Sequence, residues 1–93
     1  MALIKESQAL LFVNNALAAV GNLPNDSNYS DVIKNLSFSI FHDLHKKEFL
    51  DALKQILNNN SYDAPLSEDL FDNWSTVQDC INYLIDQTRR LAV

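Results

Sequence analysis

Apolar side chains recur through residues 2–20 at intervals of three, four and seven, at Leu3, Leu10, Val13, Leu17 and Val20, and this spacing predicts a first helix. Gly21 stands where a helix end favours a left-handed residue. Phe12, Leu11 and Ala16 widen the apolar stripe, so this helix is expected to pack against more than one neighbour. The next stretch, NLPNDSNYS (residues 22–30), concentrates Pro, Asn, Asp and Ser, whose side chains compete for backbone hydrogen bonds, and it reads as a loop. In DVIKNLSFSIF, Val32, Ile33, Leu36, Ile40 and Phe41 keep near-helical spacing, while Ser37, Phe38 and Ser39 lower the propensity. Residues 31–42 thus fit either a helix or a packed irregular segment.

A second helix is expected over residues 43–58, where Leu50, Leu53 and Leu57 line one side, Phe49 and Ile56 flank them, and Asp43 serves as N-cap. NNNSYDAP ends it, and a short helical turn follows at residues 67–72. STVQDCINYLIDQTRRL opens with Ser75 and Gln78 in capping-box spacing and repeats Val77, Ile81, Leu84, Thr88 and Leu91. Arg89 and Arg90 fall in the last turns of this expected helix, where cations complement the helix dipole. The expected fold is all-α: a small antiparallel bundle of three main helices plus one short or irregular helix, in a single domain over residues 1–93.

Composition supports that class. The chain is 47% hydrophobic and 20% charged, a balance that builds one small core rather than a disordered chain. One Gly and two Pro leave it without the turn punctuation that many short strands need. The single cysteine, Cys80, excludes an intramolecular disulfide and a CxxC metal site, as expected in a reducing compartment, so the cytoplasm is the expected location. The N-terminal apolar run has no basic lead and is broken by Asn14 and Asn15, and no run approaches the roughly 18 apolar residues of a membrane span. Neither a signal peptide nor a membrane segment is expected. A net charge of −5 disfavours nucleic acid and anionic membrane and suits a protein partner with a basic surface. Monomer and homodimer both remain compatible with so short a chain.

From Tyr62 onward, YDAPLSEDLFDNWSTVQDCINYL resembles the third and fourth helices of acyl carrier proteins. The matching features, in order, are the aromatic-acid pair Tyr62-Asp63, Leu66 beside a proline, the acidic pair Glu68-Asp69, the turn Trp74-Ser75-Thr76-Val77, and then Ile81, Tyr83 and Leu84. SIFHDL (residues 39–44) is similar to the family's lead-in to its second helix, and VGNL (residues 20–23) to the turn that ends its first. The resemblance implies an acyl-carrier-like bundle, with Trp74 and Tyr62 among its core aromatics. It departs from the family in a longer first loop and, more seriously, at the working residue.

Carrier proteins present a serine at the start of the second helix, to which a phosphopantetheine arm is attached. Counted back from Tyr62 by the family spacing, that position falls on Glu48; aligned on Leu53 and Leu57, it falls on Lys47. The resemblance implies phosphopantetheine, but no Ser, Thr or Cys occurs between Leu44 and Asn60 to hold it, so no cofactor is expected. Phe49 follows the missing serine, where the family exposes an aliphatic side chain to partners. It is either an exposed anchor or a core residue, and it stands among the partner-binding candidates. The family's second helix is usually acidic. Here residues 45–60 carry Lys46, Lys47 and Lys54 against Glu48 and Asp51, and the acid has moved to Asp63, Glu68, Asp69 and Asp72. That downstream stretch is the expected docking face for a basic partner.

Other candidates read more plainly. His42, Asp43 and His45 lack a further metal ligand nearby and are expected to be a solvated helix cap, so no metal is expected. Cys80 lies on a partly apolar arc as a small hydrophobe. Ser27, with Asp26 before it, and Ser30 suit turn or cap roles. No nucleophile, base and orienting group converge, so an enzyme is not expected. The leading expectation is an acyl-carrier-like protein that acts through protein contacts in fatty-acid, polyketide or peptide synthesis without carrying the arm. Two other readings stand beside it: an acidic inhibitor or immunity-type protein for a basic toxin or enzyme, and a genuine carrier with a variant attachment site.

Overall fold

The computed structural model describes residues 4–20 and 34–91, so Gly21, the loop expected over residues 22–30 and the start of the 31–42 segment lie outside the described residues. Within them the chain is mostly helical, with one small two-stranded sheet. The first helix, α1, spans Glu6–Ala19 and buries Ala9, Leu10, Phe12, Val13, Ala16 and Leu17. So broad an apolar stripe needs two partners, and α1 packs against both α2 (Asp43–Asn59) and α3 (Val77–Gln87). At its start the Lys5 N–H donates to Gln8 Oε1 at 3.2 Å, and Glu6 pairs with the Lys34 ammonium.

Lys34 is helical, and residues 35–42 take the irregular alternative. Ser37 bridges Thr76 in antiparallel fashion: the Phe38 N–H donates to Ser75 O at 3.0 Å and the Val77 N–H to Leu36 O at 2.9 Å. A single 3-10 turn, Phe38–Ile40, follows, with Ser37 Oγ accepting the Ser39 N–H at 3.1 Å. The Ser37 hydroxyl thus serves the turn locally, while the backbone of Leu36 and Phe38 ties this segment to the entrance of α3.

The second helix begins one position from expectation, with His42 as N-cap and Asp43 as the first helical residue. Asp43 still complements the positive end of the helix dipole from there. Phe49, Leu50, Leu53 and Leu57 form its buried side. The helix closes with the Asn60 N–H on Leu57 O at 3.0 Å and the Ser61 N–H on Asn58 O at 3.1 Å. Ser61 has φ of 67°, the left-handed closing conformation that glycine adopts most cheaply. A 3-10 turn, Glu68–Asp72, matches the short turn expected there.

The last helix differs from expectation at both ends. Its N-cap is Thr76, one residue after Ser75. Asp79 Oδ2 accepts from the Ser75 N–H at 2.8 Å and the Thr76 N–H at 3.2 Å, because a carboxylate is the stronger acceptor at a positive helix end. Gln78 turns away and donates to Asn82 Oδ1 at 2.9 Å. At the other end the helix stops at Gln87: Thr88 is extended (φ −68°, ψ 137°), and Arg89 and Arg90 form a strand. Strand β1 (Tyr62–Asp63) pairs antiparallel with β2 (Arg89–Arg90), matching Tyr62 to Arg90 and Asp63 to Arg89. The arginines thus serve a ladder rather than a helix dipole, and the strand-free expectation is corrected. Ladder bonds to β1, the Leu91 N–H on Ser61 O at 2.9 Å and an Arg89–Asp63 ion pair at 3.7 Å replace the lost helical turn.

Between α2 and α3 the core is aromatic. Ring contacts run from Phe49 on α2 to Phe38 (5.8 Å between centroids), on to Phe71 (5.1 Å), to Trp74 (5.2 Å) and to Tyr83 on α3 (5.4 Å). Trp74 is buried as the resemblance implied, whereas Tyr62 is half-buried, 6.1 Å from Phe12. Among the described residues no helix is long and apolar enough to cross a membrane.

Candidate functional site

The most distinctive surface is built by the chain between α2 and α3. After β1, Pro65 leads into the 3-10 turn, which buries Phe71 while leaving Glu68, Asp69 and Asp72 exposed. Asp69 and Asp72, three residues apart, share one side of that turn. Leu66 and Leu70 are half-buried beside them and present apolar surface among the acids. Two hollows flank Leu66. One, of about 360 Å³, is bounded by Lys54, Asp63, Leu70 and Tyr83. The other, of about 300 Å³, is bounded by Lys47, Leu50, Asp51 and Glu68. The Tyr83 hydroxyl donates to Pro65 O and holds the loop against α3. Partial burial, with Cys80 nearby, pushes the Tyr83 phenol above its ordinary range, which keeps that hydroxyl a donor.

The sequence-predicted residues divide across this surface. Glu68, Asp69 and Asp72 sit together on the turn; Asp63 is set back in the ladder, with its carboxylate turned to Arg89. Glu48 and Lys47, the two candidates for the missing serine position, are both exposed on α2. Phe49 does not belong with the partner-binding candidates: it has 0% exposure and is enclosed by Phe38, Phe41 and Phe71. Its place in line with Leu53 and Leu57, at successive steps of four, was the signal that it belonged to the core stripe. The exposed apolar side chain of α2 is Leu44, 65% accessible and one turn before Glu48 on the same side of the helix. Sequence reasoning passed over it; its departure from the Leu50, Leu53 and Leu57 stripe marked it.

Ser27 and Ser30 lie outside the described residues. His42 and His45 lie with ring centroids 5.4 Å apart at the start of α2, and no group of three or more His, Cys, Asp or Glu converges among the described residues. Cys80 is wholly buried; desolvation, and to a lesser degree the Asp79 carboxylate, push its thiol far above the ordinary range, which disfavours the thiolate. The surface sets exposed carboxylates around the two hollows, with Leu44 and the lysines of α2 alongside. No protein-family model, curated protein sequence or solved structure matches the chain.

Proposed function

We propose that this chain is an acyl-carrier-like binding protein that acts through contacts with a basic partner and carries no phosphopantetheine arm of its own. The observation that carries the reading is the exposed triad Glu68, Asp69 and Asp72 beside half-buried Leu66 and Leu70, an acidic rim around apolar hollows. Such a rim steers a basic surface into place, while the hollows receive its apolar side chains. The link to fatty-acid, polyketide or peptide synthesis rests on the resemblance of residues 62–84 to acyl carrier proteins. The succession of α2, an acidic 3-10 turn and α3 is compatible with that likeness. The absence of any hydroxyl or thiol between Leu44 and Asn60 supports the loss of the arm.

The test compares the native chain with a variant carrying Glu68→Lys, Asp69→Lys and Asp72→Lys in affinity capture from the source cells, followed by cross-linking and mass spectrometry. The expected result is recovery of synthesis enzymes cross-linked at residues 66–72, lost in the variant and weakened by salt. Recovery of a single basic toxin or hydrolase at the same residues would support the inhibitor reading instead. Incubation with a broad-range phosphopantetheinyl transferase and coenzyme A is expected to leave the intact mass unchanged; a gain of the arm would overturn the armless reading.

A further inference from the structure

On the side of the Phe38–Ile40 turn, a recess of about 290 Å³ opens between that turn, α2 and the segment leading into α3. Phe71 and Trp74 form its apolar wall, and Ser37, Ser39, Lys46 and Ser75 supply its polar atoms. Among the described residues no carboxylate lines it, in a chain of net charge −5. The Lys46 ammonium lies 5.7 Å from the centroid of the Phe71 ring, held along the wall by the attraction between cation and ring face. Its ion pair with Asp43 spans 3.9 Å to a fully exposed side chain, a contact that water and salt weaken readily.

The hydroxyls are arranged as donors. Ser37 Oγ accepts the Ser39 N–H at 3.1 Å and donates to Ser39 Oγ at 2.8 Å, which leaves the Ser39 hydroxyl its own proton to donate. Both backbone groups of Ser75 are engaged, its N–H by Asp79 and its carbonyl by the Phe38 N–H, so its hydroxyl is what it offers the recess. One cation, two available hydroxyl donors and an aromatic wall match a ligand with an oxyanion at one end and a flat apolar group at the other. The volume sits at the lower edge of the roughly 300–1,000 Å³ usual for ligand sites and suits a single ring.

We propose that this recess binds a small aromatic oxyanion, an aryl carboxylate or aryl phosphate, with its oxygens on Lys46, Ser39 and Ser75 and its ring against Trp74 and Phe71. This site stands apart from the acidic rim and does not depend on the function proposed above.

Trp74 is the single tryptophan of the chain, so its fluorescence reports on this recess directly. The native protein is titrated with phenyl phosphate, benzoate, inorganic phosphate and benzyl alcohol, and amide shifts are followed in parallel by heteronuclear NMR. Phenyl phosphate or benzoate is expected to give a saturable change, with shifts clustered at residues 37–39, 46 and 71–75. Inorganic phosphate and benzyl alcohol, each offering half of the ligand, are expected to bind more weakly. Lys46→Gln is expected to weaken the aromatic oxyanion about tenfold, the usual scale for losing a charge-assisted hydrogen bond, while Lys46→Arg retains binding. Circular dichroism checks the fold of each variant, and Ser39→Ala provides a second route to weakened binding should Lys46→Gln disturb α2. Equal binding of benzyl alcohol, unchanged affinity in Lys46→Gln, shifts centred elsewhere, or no saturation up to about 10 mM would each overturn the proposal.

Discussion

Replacing Phe49 by Ala tests whether this ring holds the bundle together. Phe49 is fully buried and meets Phe41 edge-on at 5.5 Å, Phe38 at 5.8 Å and Phe71 at 6.2 Å. Truncating a buried phenylalanine costs about 3–5 kcal/mol, combining lost transfer energy with the cavity left behind. Each aromatic pair adds roughly 0.5–1.5 kcal/mol beyond burial, which places this site toward the upper end of that range. Domains of this size are stable by about 5–15 kcal/mol, so Phe49→Ala is expected to lose a large share of the total, and Phe49→Leu a smaller one. Urea unfolding followed through Trp74 fluorescence and far-ultraviolet circular dichroism measures both. The paired control is Leu44→Ala, where 65% exposure limits the change to within about 0.5 kcal/mol. A Phe49→Ala variant within about 1 kcal/mol of the native protein would refute the enclosed position, because no well-packed core absorbs a whole ring so cheaply.

Ser61→Gly is expected to raise stability by about 0.5–1 kcal/mol, read as a higher urea midpoint, because a left-handed φ of 67° burdens a side chain and not glycine. Asp79→Ala is expected to cost about 1–2 kcal/mol through loss of the acceptor for the Ser75 and Thr76 N–H groups, with α3 fraying in hydrogen exchange. Cys80 is expected to resist thiol reagents in the native protein and to react once it is unfolded by urea. Burial also raises the thiol pKa in the folded state. Its contribution is therefore complete below the unfolded thiol range and is lost as pH climbs above about 8.5 toward the folded value. Tyr83, raised in the same direction, adds to the alkaline loss, so urea midpoints from pH 7 to 10 should fall less steeply in Cys80→Ala than in the native chain.

The helices were legible because their signal is local. Leu50, Leu53 and Leu57, or Val77, Ile81 and Leu84, announce a buried face through spacing alone, and the breadth of the α1 stripe correctly implied two neighbours. The acidic turn was legible as well, since Glu68, Asp69 and Asp72 interrupt the apolar pattern where Phe71 alone turns inward. What escaped depended on partners far along the chain. Arg89 and Arg90 suit a helix C-terminus by type, yet the open backbone groups of Tyr62 and Asp63 draw them into a ladder. Asp79 displaced Gln78 as the capping side chain by the strength of its acceptor, a competition that spacing does not rank. Phe49 and Leu44 show the same division: the heptad-like line marks one as buried and the other as off the stripe, but only the ring cluster of Phe38, Phe41 and Phe71 explains why that spot is closed.

By itself, then, the amino-acid sequence determined three helices, their apolar faces, the acidic turn and a second helix without a hydroxyl. Each of these follows from side-chain type and a period of 3.6 residues. Tertiary structure alone decided that residues 37 and 76 meet, that the chain ends its last helix in a strand, and that Lys46 shares an aromatic recess with the Ser39 and Ser75 hydroxyls. Those features join residues up to 39 positions apart, as Ser37 and Thr76 are, and such pairings depend on how the buried faces pack together rather than on any run of neighbours.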